Sequence, residues 1–231
     1  MDIQLIIAWA IPVLLAITLH EVAHGWMARY LGDPTAAKLG RLSLNPIKHI
    51  DLVGTILVPA LMILLPGNFL FGWAKPVPVN VNQLGSPKRD MSIVALAGPL
   101  SNLVMALLWA LLIKISISNS GEVSSIQQTL ILMGLAGMLI NIILMVLNMI
   151  PLPPLDGGRV LAGLLPDSMS VMLGKVERFG LIIIVVLLLT GILGALISTP
   201  MAMSFAFVEK SIGLAGTDLA PYWNLLLPSK G

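Results

Sequence analysis

His20, Glu21 and His24 form an H-E-x-x-H run inside a stretch that is otherwise apolar from about Ile3 to Tyr30. On a helix, residues four apart lie on one face, so both imidazoles can reach a single ion while the carboxylate between them stays beside it. That spacing suits two imidazoles binding one zinc. Eleven acidic residues occur in the chain, and Glu21 is the one that stands well inside an apolar transmembrane run. Two imidazoles and a carboxylate in lipid are costly unless paired or coordinated, so their position itself points to a working site.

Catalytic zinc commonly takes three protein ligands and leaves a further position open. The chain has no cysteine, and its remaining histidine, His49, falls in a basic loop where it reads as an interfacial residue. A carboxylate is therefore the expected third donor, and Asp156 is the best placed. It sits in Asn148-Met149-Ile150-Pro151-Leu152-Pro153-Pro154-Leu155-Asp156-Gly157-Gly158, where three prolines break a helical run and two glycines allow a close turn. Irregular backbone at membrane depth is tolerated where it is buried in protein or lines a wet cavity.

The elements that must carry these groups follow from composition. Of 231 residues, 57% are hydrophobic and 10% charged, and the mean hydropathy is +0.97. A chain this apolar reads as a polytopic membrane protein with one integral domain. Net charge is +2, with no basic tract, so no nucleic-acid partner is expected. The N-terminus lacks the basic region of a cleavable signal, and the first apolar run reads as a retained helix ending at Gly32-Asp33-Pro34. Further spans are expected over Met91 to Ile117, Gln128 to Ile150 and Phe179 to Ile197. Leu52 to Leu70, broken by Gly54, Pro59, Pro66 and Gly67, reads as re-entrant. The alternating stretch from Lys38 to Pro46 predicts a short membrane-associated β-hairpin, and the run Pro76 to Asn82 is expected to be extended. The expected fold is thus an all-α polytopic membrane protein of about four transmembrane helices, with a re-entrant segment and that hairpin.

A shared zinc depth constrains the topology. If Leu52 to Leu70 crossed fully, Asp156 would emerge on the face opposite His20, so re-entry is required. Under the positive-inside rule this places ten basic residues in the cytoplasm (Arg29, Lys38, Arg41, Lys48, Lys75, Lys88, Arg89, Arg159, Lys175 and Arg178), and Lys114, Lys210 and Lys230 outside. The N-terminus then faces out. His20 lies roughly 25 Å along the helix from Ile3, nearer the cytoplasmic side.

The helix bearing His20, Glu21 and His24, the segment Ala97-Gly98-Pro99-Leu100-Ser101-Asn102, and the stretch from Asn148 to Gly157 together resemble the site-2 protease family of intramembrane zinc metalloproteases. The resemblance spans about Ile3 to Arg159. It implies one catalytic Zn2+ on His20, His24 and Asp156, Glu21 as catalytic base, and Asn102 and Asn148 as polar groups supporting substrate or transition state. It also implies a hydrolase acting in the cell membrane on peptide bonds in or near transmembrane segments of membrane-protein substrates. Residues 1–198 are assigned to the protease domain and 199–231 to a C-terminal interfacial tail, with no room for a PDZ or cystathionine-synthase-like module. Substrate would be cut unwound, paired by strand addition against the hairpin near Arg41 to Asn45. A membrane metal transporter would instead spread such groups over several helices along a path, and a non-catalytic membrane scaffold would have no use for Glu21.

Overall fold

The computed structural model describes residues 3–58, 60, 72–117 and 123–227. Four of its helices are long and apolar enough to cross a membrane: α1 (Ile3–Tyr30), α3 (Pro87–Ile117), α4 (Ser125–Asn148) and α7 (Ile192–Ile212). Shorter elements join them: α2 (Thr35–Lys38), α5 (Asp156–Leu164) and α8 (Ala220–Leu226), with the 23-residue α6 (Asp167–Leu189) preceding α7. The chain is a multi-pass integral membrane protein.

Helices α1, α3 and α4 pack on one another as a three-helix core, and α5 lies against α3. Along α1 the buried positions include Ala8, Pro12, Ala16, His20, His24 and Ala28, a stripe recurring every four residues. Small residues on such a stripe let helix backbones approach closely, which is how helices associate where lipid removes the hydrophobic drive. Both histidines lie on that stripe, so the packing that seats α1 also turns them into the bundle. The helix stops where glycine and proline predict. Gly32 has φ 109°, and the Asp33 amide closes back on the Ala28 carbonyl at 2.8 Å. The fully buried Asp33 carboxylate accepts from the amides of Thr35 at 2.9 Å and Asn80 at 2.6 Å, tying the end of α1 to the 76–82 segment.

The expected β-hairpin is not there: no strand occurs among the described residues. The alternation from Lys38 to Pro46 is real, but local side chains satisfy the backbone that a ladder would have used. Lys38 ends α2, and the Asn45 side chain accepts from the Ile47 amide to start a 3-10 turn over Pro46–His49. His49 is buried and bonds the Ser43 carbonyl at 2.9 Å, while Lys48 donates to Gly40 O at 2.9 Å. With no hairpin, strand addition of substrate at Arg41 to Asn45 loses its template.

Much of the run read as re-entrant, residues 59 and 61–70, lies outside the described residues. Its flanks meet. A π-helical turn over Leu52–Leu57 is capped by the Asp51 carboxylate. The returning chain then bonds the outgoing one through Trp73 N to Gly54 O at 3.1 Å, Thr55 Oγ1 to Trp73 O at 2.8 Å and Lys75 N to His49 O at 2.9 Å. The chain is thus back at its point of departure before α3 begins, as shared zinc depth demands. A cysteine at Ser86, beside the start of α3, is therefore expected to react with impermeant maleimide from the cytoplasmic side. Labelling from the outside alone would overturn this topology.

The last span differs in position from the sequence reading. The apolar run Phe179 to Ile197 is divided between α6 and α7 at Thr190-Gly191. Thr190 Oγ1 bonds back to Val186 O at 2.8 Å and Leu187 O at 3.2 Å, and Gly191 takes a left-handed φ of 76°. Hydropathy is blind to such a break because neither residue is charged. The helix both long and apolar enough to cross is α7, which runs past residue 198, and at its far end Lys114 donates to the Ile212 carbonyl at 2.6 Å. On the side of α3 where the chain enters, Lys88 pairs with Asp167 at 2.7 Å and holds that exposed carboxyl below its usual range.

Candidate metal centre

The stripe of α1 and the first turn of α5 bring His20, His24 and Asp156 together. The two Nε2 atoms are 3.0 Å apart. Asp156 Oδ2 lies 3.2 Å from His20 Nε2 and 3.3 Å from His24 Nε2, and all three residues are buried. Asp156 reaches this depth through the proline-rich turn. Leu155 N bonds Leu152 O at 2.9 Å and Gly158 N bonds Leu155 O at 3.0 Å, folding the chain back on itself. A Cβ at Gly157 would stand 2.4 Å from the Met149 and Ile150 carbonyl oxygens, so the turn closes this tightly only on glycine. At the N-terminus of α5 the carboxylate is also favoured by the helix dipole.

The far nitrogens of both rings are spoken for. His24 Nδ1 is 2.8 Å from the Val94 carbonyl, which can only accept, so Nδ1 carries the proton. For His20 the assignment is made by a relay. The Gly137 carbonyl accepts from Asn141 Nδ2 at 2.8 Å, which turns Asn141 Oδ1 towards Asn102 Nδ2 at 2.8 Å. Asn102 Oδ1 must then face His20, and it accepts from Nδ1–H at 2.6 Å. A backbone carbonyl on α4 thereby fixes the tautomer of a histidine on α1. In neutral rings both Nε2 atoms are left as bare lone pairs.

Two bare lone pairs and a carboxylate oxygen aimed at one another repel unless a cation lies between them. The buried Asp156 Oδ2 receives no hydrogen bond. A tetrahedral ion with bonds of about 2.1 Å holds its donors about 3.4 Å apart, close to the observed 3.0, 3.2 and 3.3 Å. The donor set of nitrogen and oxygen fits zinc. The cluster is therefore one that can coordinate a metal ion. Space for it depends on Gly98 of α3, since a Cβ there would lie 2.4 Å from His24 Nε2 and 2.6 Å from His20 Cε1.

The three residues line a cavity of about 130 Å³ together with Glu21, Asn148 and Arg159. Glu21 Oε2 accepts from the Val77 amide at 2.8 Å, so the extended segment after Trp73 supplies a wall of the cavity and orients this carboxylate. Asn148 lies on the lining, with Nδ2 bonded back to Leu144 O at 3.0 Å. Asn102 lies elsewhere: it is fully buried behind His20. His49, read from the sequence as an interfacial residue, is instead buried and bonded to the Ser43 carbonyl, apart from this cluster. The sequence alone assigns no role to Asn141, to Gly98 within the Ala97-to-Asn102 segment, or to the Val77 amide. Asn141 carried the one available signal, as a second asparagine seven residues before Asn148 in an apolar helix.

Replacing Asn102 by Ala leaves His20 Nδ1–H unpartnered and the ring free to turn. Zinc affinity is expected to fall by about 10- to 100-fold, measured by competition with a chelating dye. Unchanged affinity in Asn102→Ala would refute the relay.

Comparison with known proteins agrees with this geometry. Residues 112–191 match the model of peptidase family M50. The chain is 38% identical over 196 residues to YwhC of Bacillus subtilis (strain 168), named as a candidate zinc metalloprotease, covering 83% of this chain and 84% of that one. It is 30% identical over 213 residues to Rip2 of Mycolicibacterium smegmatis, named likewise, covering 91% and 78%. Rip2 of Mycobacterium tuberculosis is 28% identical over 215 residues, covering 92% and 79%. No solved structure matches. With an M50 match from the last turn of α3 to the end of α6, a relative this similar over most of both chains and a buried two-histidine, one-aspartate cluster, the chain belongs to the M50 peptidases, the site-2-protease-like zinc metalloproteases.

Proposed function

We propose that His20, His24 and Asp156 hold one catalytic zinc ion, and that Glu21 is the general base of an intramembrane endopeptidase acting on membrane-protein substrates. The observation that carries this reading is the meeting of two bare imidazole nitrogens with an unbonded carboxylate oxygen in a cavity that Glu21 also lines. Zinc, when bound there, supplies Lewis acidity towards a water molecule and the scissile carbonyl. Glu21, held by the Val77 amide, takes the proton of the attacking water and delivers it to the leaving amine. Asn102 acts on His20 by fixing its tautomer, and Asn148 offers its amide to the substrate backbone. A helical substrate hides its peptide groups in its own hydrogen bonds, so the segment to be cut must enter the cavity unwound. All of these groups lie within residues 1–198, the assigned protease domain, and residues 199–231 contribute none.

Purified protein in proteoliposomes is expected to cut a single-span reporter, to lose this activity on chelation and to regain it with zinc. A metal transporter is the rival reading, so zinc flux is measured in the same vesicles. Flux without cleavage would overturn the proposal.

A further inference from the structure

Arg159 is the basic side chain among the residues lining the metal cavity, where it joins His20, Glu21, His24 and Asp156. It stands three residues after Asp156 in α5, so the two side chains share a face of one short helix and their separation is fixed. That helix is well anchored. It packs along α3, where Gly163 lies directly against Ser92.

The guanidinium, by contrast, engages nothing among the described residues. Several basic groups of the protein are occupied: Lys88 by Asp167, Arg41 by the Lys75 and Pro76 carbonyls, Lys48 by Gly40 O, Lys114 by Ile212 O, and Arg29 and Arg178 by the rings of Trp26 and Phe179; what sets Arg159 apart from the remaining free cations is its place on the metal cavity. Among the described residues Arg159 meets no acceptor, ion-pair partner or ring, and it is exposed. Charge makes the same point. With a divalent ion in place, Glu21 and Asp156 balance it, and Arg159 leaves the cavity with one unmatched positive charge. Such a charge favours an anionic partner, and the planar guanidinium fork matches a carboxylate in two hydrogen bonds.

We propose that Arg159 is a specificity subsite that binds the carboxylate of an aspartate or glutamate in the substrate, within a few residues of the bond to be cut. This rests on the reading of the cavity as a protease site. It commits Arg159 to substrate because the side chain lines the cavity that also holds Glu21, where an unwound segment has to lie. The lysine at the corresponding substrate position should be repelled, and the neutral asparagine should be intermediate.

The test uses the full-length, zinc-loaded Glu21→Gln protein in zwitterionic nanodiscs and in a series with rising anionic-lipid fraction, so that binding is read without turnover. The probes are fluorescein-labelled single-span peptides with a Leu/Ala core, carrying one Asp, Asn or Lys stepped through the cytoplasmic third of the span. At one or two adjacent positions Asp peptides should bind at least about tenfold more tightly than Asn peptides, the size of one charge-assisted hydrogen bond. Adding Arg159→Gln should erase that preference, and Arg159→Glu should invert it in favour of Lys, with zinc content unchanged. An inverted preference cannot arise from misfolding. Equal affinities for the three peptides, or an Asp preference that survives Arg159→Gln, overturns the proposal. So does binding that follows the fraction of anionic lipid instead of the peptide's charge, which assigns the guanidinium to a lipid phosphate. The two readings separate cleanly. Selective binding by a protein with Glu21 intact that never cuts leaves the subsite standing and removes the protease, whereas cutting without selectivity does the reverse.

Discussion

Glu21→Gln is expected to keep its metal while losing about 10²- to 10⁴-fold in cleavage rate, the usual contribution of a positioned general base. The substitution preserves shape and keeps an oxygen to accept from the Val77 amide, which the native carboxylate does at 2.8 Å. What it removes is the capacity to take a proton. The three donor atoms of the cluster belong to His20, His24 and Asp156, so none is touched. Zinc analysis beside single-turnover cleavage of a single-span reporter decides the matter. Near-normal turnover would show that another group takes the proton, and a parallel loss of zinc would show that Glu21 is a ligand.

The contrast with Asn102 shows what kind of information a sequence carries. H-E-x-x-H gives spacing, and helical geometry converts spacing into a shared face, so His20, Glu21 and His24 were legible before any fold was known. Asp156 was legible by a different route: prolines and glycines at the end of an apolar helix imply irregular backbone, and irregular backbone in a membrane protein has to be housed. Asn102 was found through its family-like segment but not its task. Only the placement of α3 against α1 and α4 shows that it stands behind His20 and passes on an orientation that begins at the Gly137 carbonyl. Tertiary neighbours of that kind leave no pattern in the chain.

The errors have equally local causes. Alternation from Lys38 to Pro46 counts residue types and ignores Asn45, whose side chain starts a turn by accepting from the Ile47 amide at 3.0 Å. Asn before Pro is a turn signal, and it outweighs the alternation that precedes it. Phe179 to Ile197 scores as one span because hydropathy averages over Thr190 and Gly191, although a glycine with φ 76° ends the helix there. Arg159 was assigned no role because the chemistry of hydrolysis asks for no guanidinium. Its position on the cavity wall became visible once α5 was seen to carry Asp156 and Arg159 on the same side.

Asp156→Ala is expected to abolish both stable zinc binding and cleavage, a double loss that separates a ligand from a base. Two imidazoles remain in this variant, and two donors hold zinc poorly where the catalytic arrangement asks for three. His20→Ala and His24→Ala should behave in the same way, whereas Glu21→Gln should not. Folding should survive, because the core of α1, α3 and α4 is built from contacts that do not involve Asp156, among them Ala106, Ala110, Ile113, Ile131, Leu135 and Ile142. Removing the carboxylate also relieves the crowding of its oxygen against the Nε2 atoms at 3.2 and 3.3 Å, so the metal-free protein should unfold no earlier than metal-free wild type. Metal content by mass spectrometry, cleavage rate and thermal unfolding of the chelated protein are the three measurements. Wild-type zinc content in Asp156→Ala would remove Asp156 from the ligand set. Full activity with reduced zinc would leave it a ligand only of a metal that catalysis does not need.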